Sequence, residues 1–470
     1  MPFPTTVTAQ ARASLADVRF APFWLDTPDR PQASPALTSE IDADLVVVGG
    51  GFSGLWTAYL ARERFPHWTV VVLEGDRIGG GASGRNGGFI AASLTHGLGN
   101  GMARWPDDMP CLTDMGRANL DAIEATVQAE GIDCDFLRSG ELDVAVAPYQ
   151  VEGLRDTHQQ ASALGLDQEF LDAHEVRALV ASPTYQAGLL DRRGVAMADP
   201  ARLAWGLADA CRRRGVAIYE GTRVIALDDR PGAMRVVTDF GSVRSPRVAL
   251  ATSAYPPLLR RLGHYVVPVY DSVLMTEPLT GQQRESIGWR DRFGIGDAGN
   301  QFHYYRITHD ARILWGGYDA SYYGGFNPMH ERQSAPFARL AEHFRFTFPQ
   351  LDGLRFTHAW AGAIDTCSRF SAFWGTAYAG RVAYSVGFTG LGVGASRFGA
   401  QVMLDLLSGE HTERTALEMA RTKPIPFPPE PIRSLGIGIT RRAIDKADRN
   451  EGRRNLWLRT LDRVGLGFDS

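Results

Sequence analysis

The residues best placed to do chemistry come early, as Gly49-x-Gly51-x-x-Gly54 with Glu74 twenty residues beyond the last glycine. Each glycine has a mechanical task in this spacing. Gly49 permits a tight turn, Gly51 lets backbone approach a pyrophosphate, and Gly54 lets a helix pack against a strand. Phe52 and Ser53 complete the turn and open the helix, whose unpaired N–H groups and positive dipole end face phosphate. Glu74 is placed to accept hydrogen bonds from ribose hydroxyls, and its charge repels a 2′-phosphate. The motif reads as a dinucleotide site that disfavours NADP.

NAD and FAD share that signature, so further residues must separate them. Arg77-Ile-Gly-Gly-Gly-Ala-Ser-Gly-Arg-Asn-Gly-Gly-Phe89 is too rich in glycine to pack a core. It suits backbone threaded along a flat ligand, with Ser83, Arg85, Asn86 and Gly87 as contacts. Far down the chain, Gly387-Phe-Thr-Gly-Leu-Gly-Val-Gly394 repeats the strand–turn–helix device, presenting Gly387, Gly390, Leu391 and Gly392. Two distant glycine turns on one nucleotide fit FAD better than NAD.

These turns need elements to hold them. Asp44–Val48 and Thr69–Glu74 are short apolar runs of the kind buried parallel strands show, with a helix over Leu55–Arg64 between them. Helices are also expected over Pro200–Arg214, capped by Asp199, over Ser334–Phe346 and over Ser396–Leu407. Alternating aromatic, β-branched and polar residues over 265–325 indicate an antiparallel sheet. The fold expected is α/β (α+β overall), a discontinuous Rossmann-like FAD-binding domain with a second, mainly antiparallel sheet substrate domain. Its divisions would be a leader over 1–40, a nucleotide domain over 41–100, 185–255 and 356–420, a substrate domain over 101–184 and 256–355, and a helical tail over 421–470.

Composition narrows the class. The chain has 470 residues, 44% hydrophobic and 22% charged, enough for two or three packed units. A net charge of −4 argues against nucleic acid. The tail holds eleven basic and six acidic residues, and packing on its own body or on a neighbouring subunit is the expected role; membrane contact is not. The four cysteines are widely spaced and no histidines cluster at ligand spacing, so neither a disulfide framework nor a metal site is expected. With no apolar leader and no long apolar run, the protein reads as cytoplasmic. Only Lys423 and Lys446 are lysines.

Taken together, Leu45–Gly54, Glu74, Gly80–Gly88 and Gly387–Gly392 resemble the D-amino acid oxidase-like superfamily of FAD enzymes. The similarity is strongest to its bacterial γ-glutamylputrescine oxidase and glycine/sarcosine oxidase branch. Ala198-Asp-Pro200, Thr222-Arg-Val224, Ala251-Thr-Ser253 and Trp360-Ala-Gly362 extend the resemblance over about residues 20–420. It implies backbone contacts from Val224 to adenine, Ala251 and Thr252 along the nucleotide, and residues 256–355 as a sheet over the reactive face of the flavin. It also implies oxidation of a C–N bond in a small amine or amino acid to an imine, then hydrolysis, with flavin reoxidised by O2 to give H2O2. A dehydrogenase with another electron acceptor, and a non-catalytic flavin-binding subunit, are the alternatives.

Candidate substrate-side residues cluster in Phe302-His-Tyr-Tyr-Arg306. Strand alternation sends His303 and Tyr305 one way, Tyr304 and Arg306 the other. Tyr304 and Arg306 could bind an anionic end of the substrate, unless Arg306 pairs with a carboxylate such as Asp319. His303 is either an active-site or a structural histidine. Trp360, opening Trp-Ala-Gly, is the candidate wall beside the flavin. Two departures from the branch matter. The position that in some relatives links flavin through cysteine falls near Trp360, and Cys367 lies seven residues on, so non-covalent FAD is expected. An oxygen-activating lysine has no counterpart. Gly296-Asp-Ala298 resembles a flavin signature of aromatic hydroxylases, but no glycine turn and helix follow it closely.

Overall fold

The computed structural model describes residues 3–467, so residues 1–2 of the leader and 468–470 of the tail lie outside the described residues. A six-stranded sheet runs in the order Phe373–Ala377, Val382–Val386, Val248–Leu250, Leu45–Val48, Val70–Leu73, Ala217–Tyr219. Only the first pair is antiparallel. Its strands are continuous apolar runs because both faces are covered. Leu45, Val47, Val70 and Val72 face the cluster formed with helices Phe52–Arg64, Pro200–Arg213 and Gly392–Ser408. Val46, Val48, Val71 and Leu73 face the opposite cluster, which includes Met234, Val236 and Val243 of a four-stranded sheet.

The helix over 200–213 begins as its sequence dictates: Asp199 accepts from the N–H groups of Ala201 and Arg202, and Pro200 occupies the first turn. The helices at 52–64, 334–347 and 392–408 match those expected, with starts and ends moved by a few residues.

A nine-stranded sheet, mostly antiparallel, forms the other layer. Its sequence runs Ser321–Tyr322, Val267–Thr276, Ile313–Gly317, His303–Ile307, Gly294–Asp297, Glu141–Ala145, Ala187–Asp191, Gln168–Leu171, with Phe356–Thr366 paired along Val267–Thr276. The strands Ala187–Asp191 and Phe356–Thr366 were expected with the nucleotide-binding unit but pair in this sheet. Helix Met109–Ala129, expected with the substrate unit, packs its Leu112, Leu120 and Ile123 into the cluster around the six-stranded sheet. Strand periodicity reports a pleat, not the sheet that pleat joins, so these boundaries move.

The leader, expected as irregular surface chain, is anchored. Phe3, Ala11 and Trp24 are buried, Thr8 bonds Glu342, and the Trp24 indole donates to Asn86 O. In the tail, helices Ile432–Arg449 and Leu456–Arg463 close on each other through Ala443, Ala447 and Leu458. No helix among the described residues is long and apolar enough to cross a membrane.

Candidate functional site

The first glycine turn is built by contact rather than by freedom alone. Gly49 has φ +113°, and a Cβ there would stand 2.4 Å from Ala251 O. A Cβ on Gly54 would stand 1.9 Å from Gly49 O, so only hydrogen lets the helix close on the turn. Gly51 caps helix Phe52–Arg64 with no side chain of its own, and only the first N–H, that of Phe52, is taken by a side chain, Ser83. Glu74 follows the second strand and accepts from Gly50 N at 2.6 Å and Asp76 N at 2.8 Å. Burial pushes its carboxyl above the usual range against the pull of those two N–H groups.

This turn opens into a cavity of about 2020 Å³ that reaches the nine-stranded sheet. Gly49, Gly51, Phe52, Ser53, Glu74, Ser83, Arg85, Asn86, Gly87, Val224, Ala251, Thr252, Gly390, Leu391 and Gly392 all line it, as does Tyr304. Gly54 and Gly387 stand behind the lining and shape the two turns; Gly387 has φ +80° and its N–H donates to Asp365 at 2.7 Å. Burial raises the Asp365 carboxyl to about 6. Three buried hydroxyls on the lining, Ser53, Ser385 and Ser396, have no protein partner. Ser53 lies in the first turn of the helix after one glycine turn, and Ser396 opens the second turn of the helix after the other. Buried hydroxyls rarely stay unpaired in a finished protein, so these fit a polar ligand running between the helix ends.

The polar residues of the second glycine segment are occupied by the protein. Ser83 Oγ accepts from Phe52 N at 2.9 Å, and Asn86 bonds Ala82 O, Ser83 O and Gly88 N. Arg85 donates to Gly80 O and pairs with Glu331. They line the cavity chiefly as the stitching of its wall.

The substrate-side candidates separate. His303 and Tyr305 do face away from Tyr304 and Arg306, as alternation dictates. His303 is fully buried, bonds Asp297 at 2.5 Å and His343 at 2.9 Å, and does not line the cavity. Arg306 is also sealed behind the lining, donating to Ala198 O at 2.7 Å with Asp135 at 3.8 Å; Asp319 pairs with Arg339 instead. Burial holds the Arg306 guanidinium down to about 10. Trp360 is buried, its indole donating to Arg85 O at 2.8 Å. Of the alternatives left open for His303 and Arg306, the buried, protein-paired one describes both, and neither lines the cavity; Trp360, the expected wall beside the flavin, also stands behind the lining. Cys367 touches the cavity, but its thiol bonds Ser371 O and burial pushes its pKa up.

Tyr304 is held by two glycines. A Cβ on Gly316, its cross-strand partner, would come within 2.7 Å of its ring, and one on Gly87 within 2.9 Å. Its hydroxyl donates at 2.5 Å to Asp271, a residue that sequence reasoning missed. Asp271 sits on the cavity face of Val267–Thr276 between Val269 and Val273, directly opposite Gly362. Burial lifts its carboxyl to about 6, opposed by Tyr304 and by the N–H of Ser272. The signal was present: one acid among Val267, Val269, Val273 and Met275 at period two.

A family model described as DAO, FAD dependent oxidoreductase, matches residues 44–406. The chain is 33% identical over 411 residues to gamma-glutamylputrescine oxidoreductase of Escherichia coli, covering 83% of this chain and 89% of that protein. It is 24% identical over 339 residues to sarcosine oxidase subunit beta of Rhodobacter capsulatus, covering 68% of this chain and 74% of that one. Glycine oxidase from Geobacillus kaustophilus shares the fold, with a TM-score of 0.69 at 20% identity over 82% of this chain and 100% of that chain. With its paired glycine turns, its acid after the second strand and a family match over most of its length, this chain belongs to the DAO family of FAD-dependent oxidoreductases.

Proposed function

We propose that this enzyme oxidises a C–N bond of a small primary or N-alkylated amine or amino acid to an imine, which water hydrolyses to an aldehyde or oxo acid plus amine or ammonia. The observation that carries the reading is the continuous cavity joining both glycine turns to the inner face of the large sheet. Non-covalent FAD would be held by the turns at 49–54 and 387–392, by Glu74, and by Val224, Ala251 and Thr252. When bound, it would supply the acceptor for the hydride equivalent leaving the amine carbon, whose two electrons would then pass, with two protons, to O2 to give H2O2. The chain's own part is to orient the amine against Tyr304 and Asp271 and to keep bulk water from the reacting carbon. Four free cysteines support action in a reducing compartment, the cytoplasm.

A second reading, a dehydrogenase using another acceptor, is favoured by the absence of any lysine before Lys423 to assist oxygen. Anaerobic mixing of the flavin-loaded protein with a panel of small amines tests the chemistry: bleaching of the blue absorption is the expected result, and no bleaching by any amine overturns it. Admitting oxygen then divides the two readings by the yield of H2O2.

A further inference from the structure

We infer that the C-terminal helical hairpin docks this protein on an anionic phospholipid bilayer, with the outer stripe of helix Ile432–Arg449 as the contact surface; the inference is independent of the amine-oxidation reading. The hairpin lies beyond the family match, which ends at residue 406. The packing on its own body that the tail's sequence suggests accounts for one face only. Arg433, Gly436, Ile437, Thr440, Arg441 and Ile444 of this helix line the cavity, while Ala443 and Ala447 meet Leu458 of the second helix. Arg441 donates to Ser321 Oγ at 2.8 Å, and Asp448 accepts from Asn300 Nδ2 at 2.6 Å and from Gln301 N at 3.0 Å. These contacts fix the helix with another face outward. That face is Ile432, Leu435, Ile439, Arg442 and Lys446, which follow in steps of three and four and so share one side of the helix.

This stripe has the composition of a helix that lies on a membrane surface. Ile432 is 60% exposed and Leu435 65%, and Ile439 is exposed beside them. In the second helix Leu456 is 74% exposed, and Arg459 and Arg463 continue its side at the same spacing. The acids of the hairpin are already taken. Glu430 accepts from Tyr322 and Asp448 from Asn300, and Asp445, Glu451 and Asp462 pair with Arg449, Arg453 and Arg454. Among the described residues, no acid pairs with Arg442, Lys446, Arg459 or Arg463, and all four are exposed. Charge chooses the occupant. Two copies of the chain meeting through this stripe would set these cations against one another, whereas the phosphates of an anionic leaflet attract them. Apolar insertion or basic attraction alone holds a protein on lipid weakly, and stable docking takes both, which the hairpin presents together.

The test floats the flavin-loaded full chain with lipid vesicles on a density gradient. Vesicles of equal parts phosphatidylglycerol and phosphatidylcholine are expected to carry about tenfold more protein than vesicles of phosphatidylcholine alone, and added salt to weaken that binding. Arg442→Glu combined with Lys446→Glu is expected to lower binding to the anionic vesicles about 10- to 100-fold. Leu435→Asn combined with Ile439→Asn is expected to lower it about tenfold. All four positions are exposed and none lines the cavity, so flavin content and melting temperature should stay those of the unmodified protein and check each variant's fold. Absent flotation, or equal flotation on both kinds of vesicle, overturns the inference, as does unchanged flotation of either folded double variant. A dimer in sedimentation velocity that Leu435→Asn with Ile439→Asn dissociates assigns the stripe to a second copy of the chain and overturns it as well.

Discussion

Replacing Gly54 with alanine probes the nucleotide turn where the structure leaves least room. The added Cβ would lie 1.9 Å from Gly49 O and 3.1 Å from Val47 Cγ1. Real Cβ contacts essentially never fall under 3.0 Å, so the first turn of helix Phe52–Arg64 must retreat by about 1.1 Å. That helix is buried along Leu55, Trp56, Ala58 and Ala61 and cannot slide freely, so overpacking costs about 1–3 kcal/mol of stability. The same retreat carries the helix-end N–H groups from hydrogen-bonding distance of a phosphate, about 2.9 Å, to about 4 Å. Losing even one charge-assisted bond of about 1.5–3 kcal/mol weakens flavin binding roughly 10- to 100-fold. Titrating flavin-stripped protein with FAD and following fluorescence quenching measures this directly. Gly153→Ala is the counterpart: it lies in helix Gln150–Ala163 with nothing within 4 Å of its Cβ. It should raise stability by about 0.5–1 kcal/mol and leave FAD affinity alone. A Gly54→Ala protein that binds FAD within threefold of the unmodified one would refute the close-packing argument.

Three other outcomes follow from the site. Asp271 has its carboxyl raised from 3.8 to about 6, so cationic ligands should bind more tightly as pH rises through about 6, until the ligand itself loses its proton; a pH series of spectral titrations checks this. Because the folded pKa exceeds the unfolded one, the favourable contribution of this group to stability is complete below 3.8 and lost as pH rises through about 6, so Asp271→Asn should flatten the melting temperature over that window. Glu74→Gln sets an amide NH2 against one of the two N–H donors at Gly50 and Asp76, and FAD affinity should fall about tenfold in the same fluorescence titration. Cys367→Ser should leave flavin content unchanged, and acid precipitation of either protein should give a colourless pellet under a yellow supernatant.

The parts of this molecule that were legible in the sequence are those whose cause is local. Gly49, Gly51 and Gly54 announce a turn because no other residue tolerates an oxygen 1.9 to 2.7 Å from where a Cβ would be, and the run Leu45–Val48 announces burial on both faces. The pleat also told that Tyr304 and His303 diverge. It could not tell which side held the cavity, so His303, Tyr304 and Arg306 looked alike as candidates, although only Tyr304 reaches it. Asp271 was missed because its partner, Tyr304, lies 33 residues away and the two meet across the intervening strand Ile313–Gly317. The polar triplet Ser83, Arg85 and Asn86 was legible as a wall of the site, but its hydrogen bonds close inward through Phe52, Gly80 and Ala82, contacts that spacing alone does not encode.

The middle of the six-stranded sheet brings Val382–Val386 beside Val248–Leu250 and Leu45–Val48, segments whose ends lie more than three hundred residues apart. A ribosome emits about 5–20 residues per second, so the first strand emerges on the order of twenty seconds or more before its last companion exists. During that interval its valines have no finished layer to rest against, and such distant pairings are intrinsically slow to close. The early phosphate loop therefore waits on strands made last, and cutting the chain back past residue 386 from its carboxyl side removes support from its opening βαβ segment.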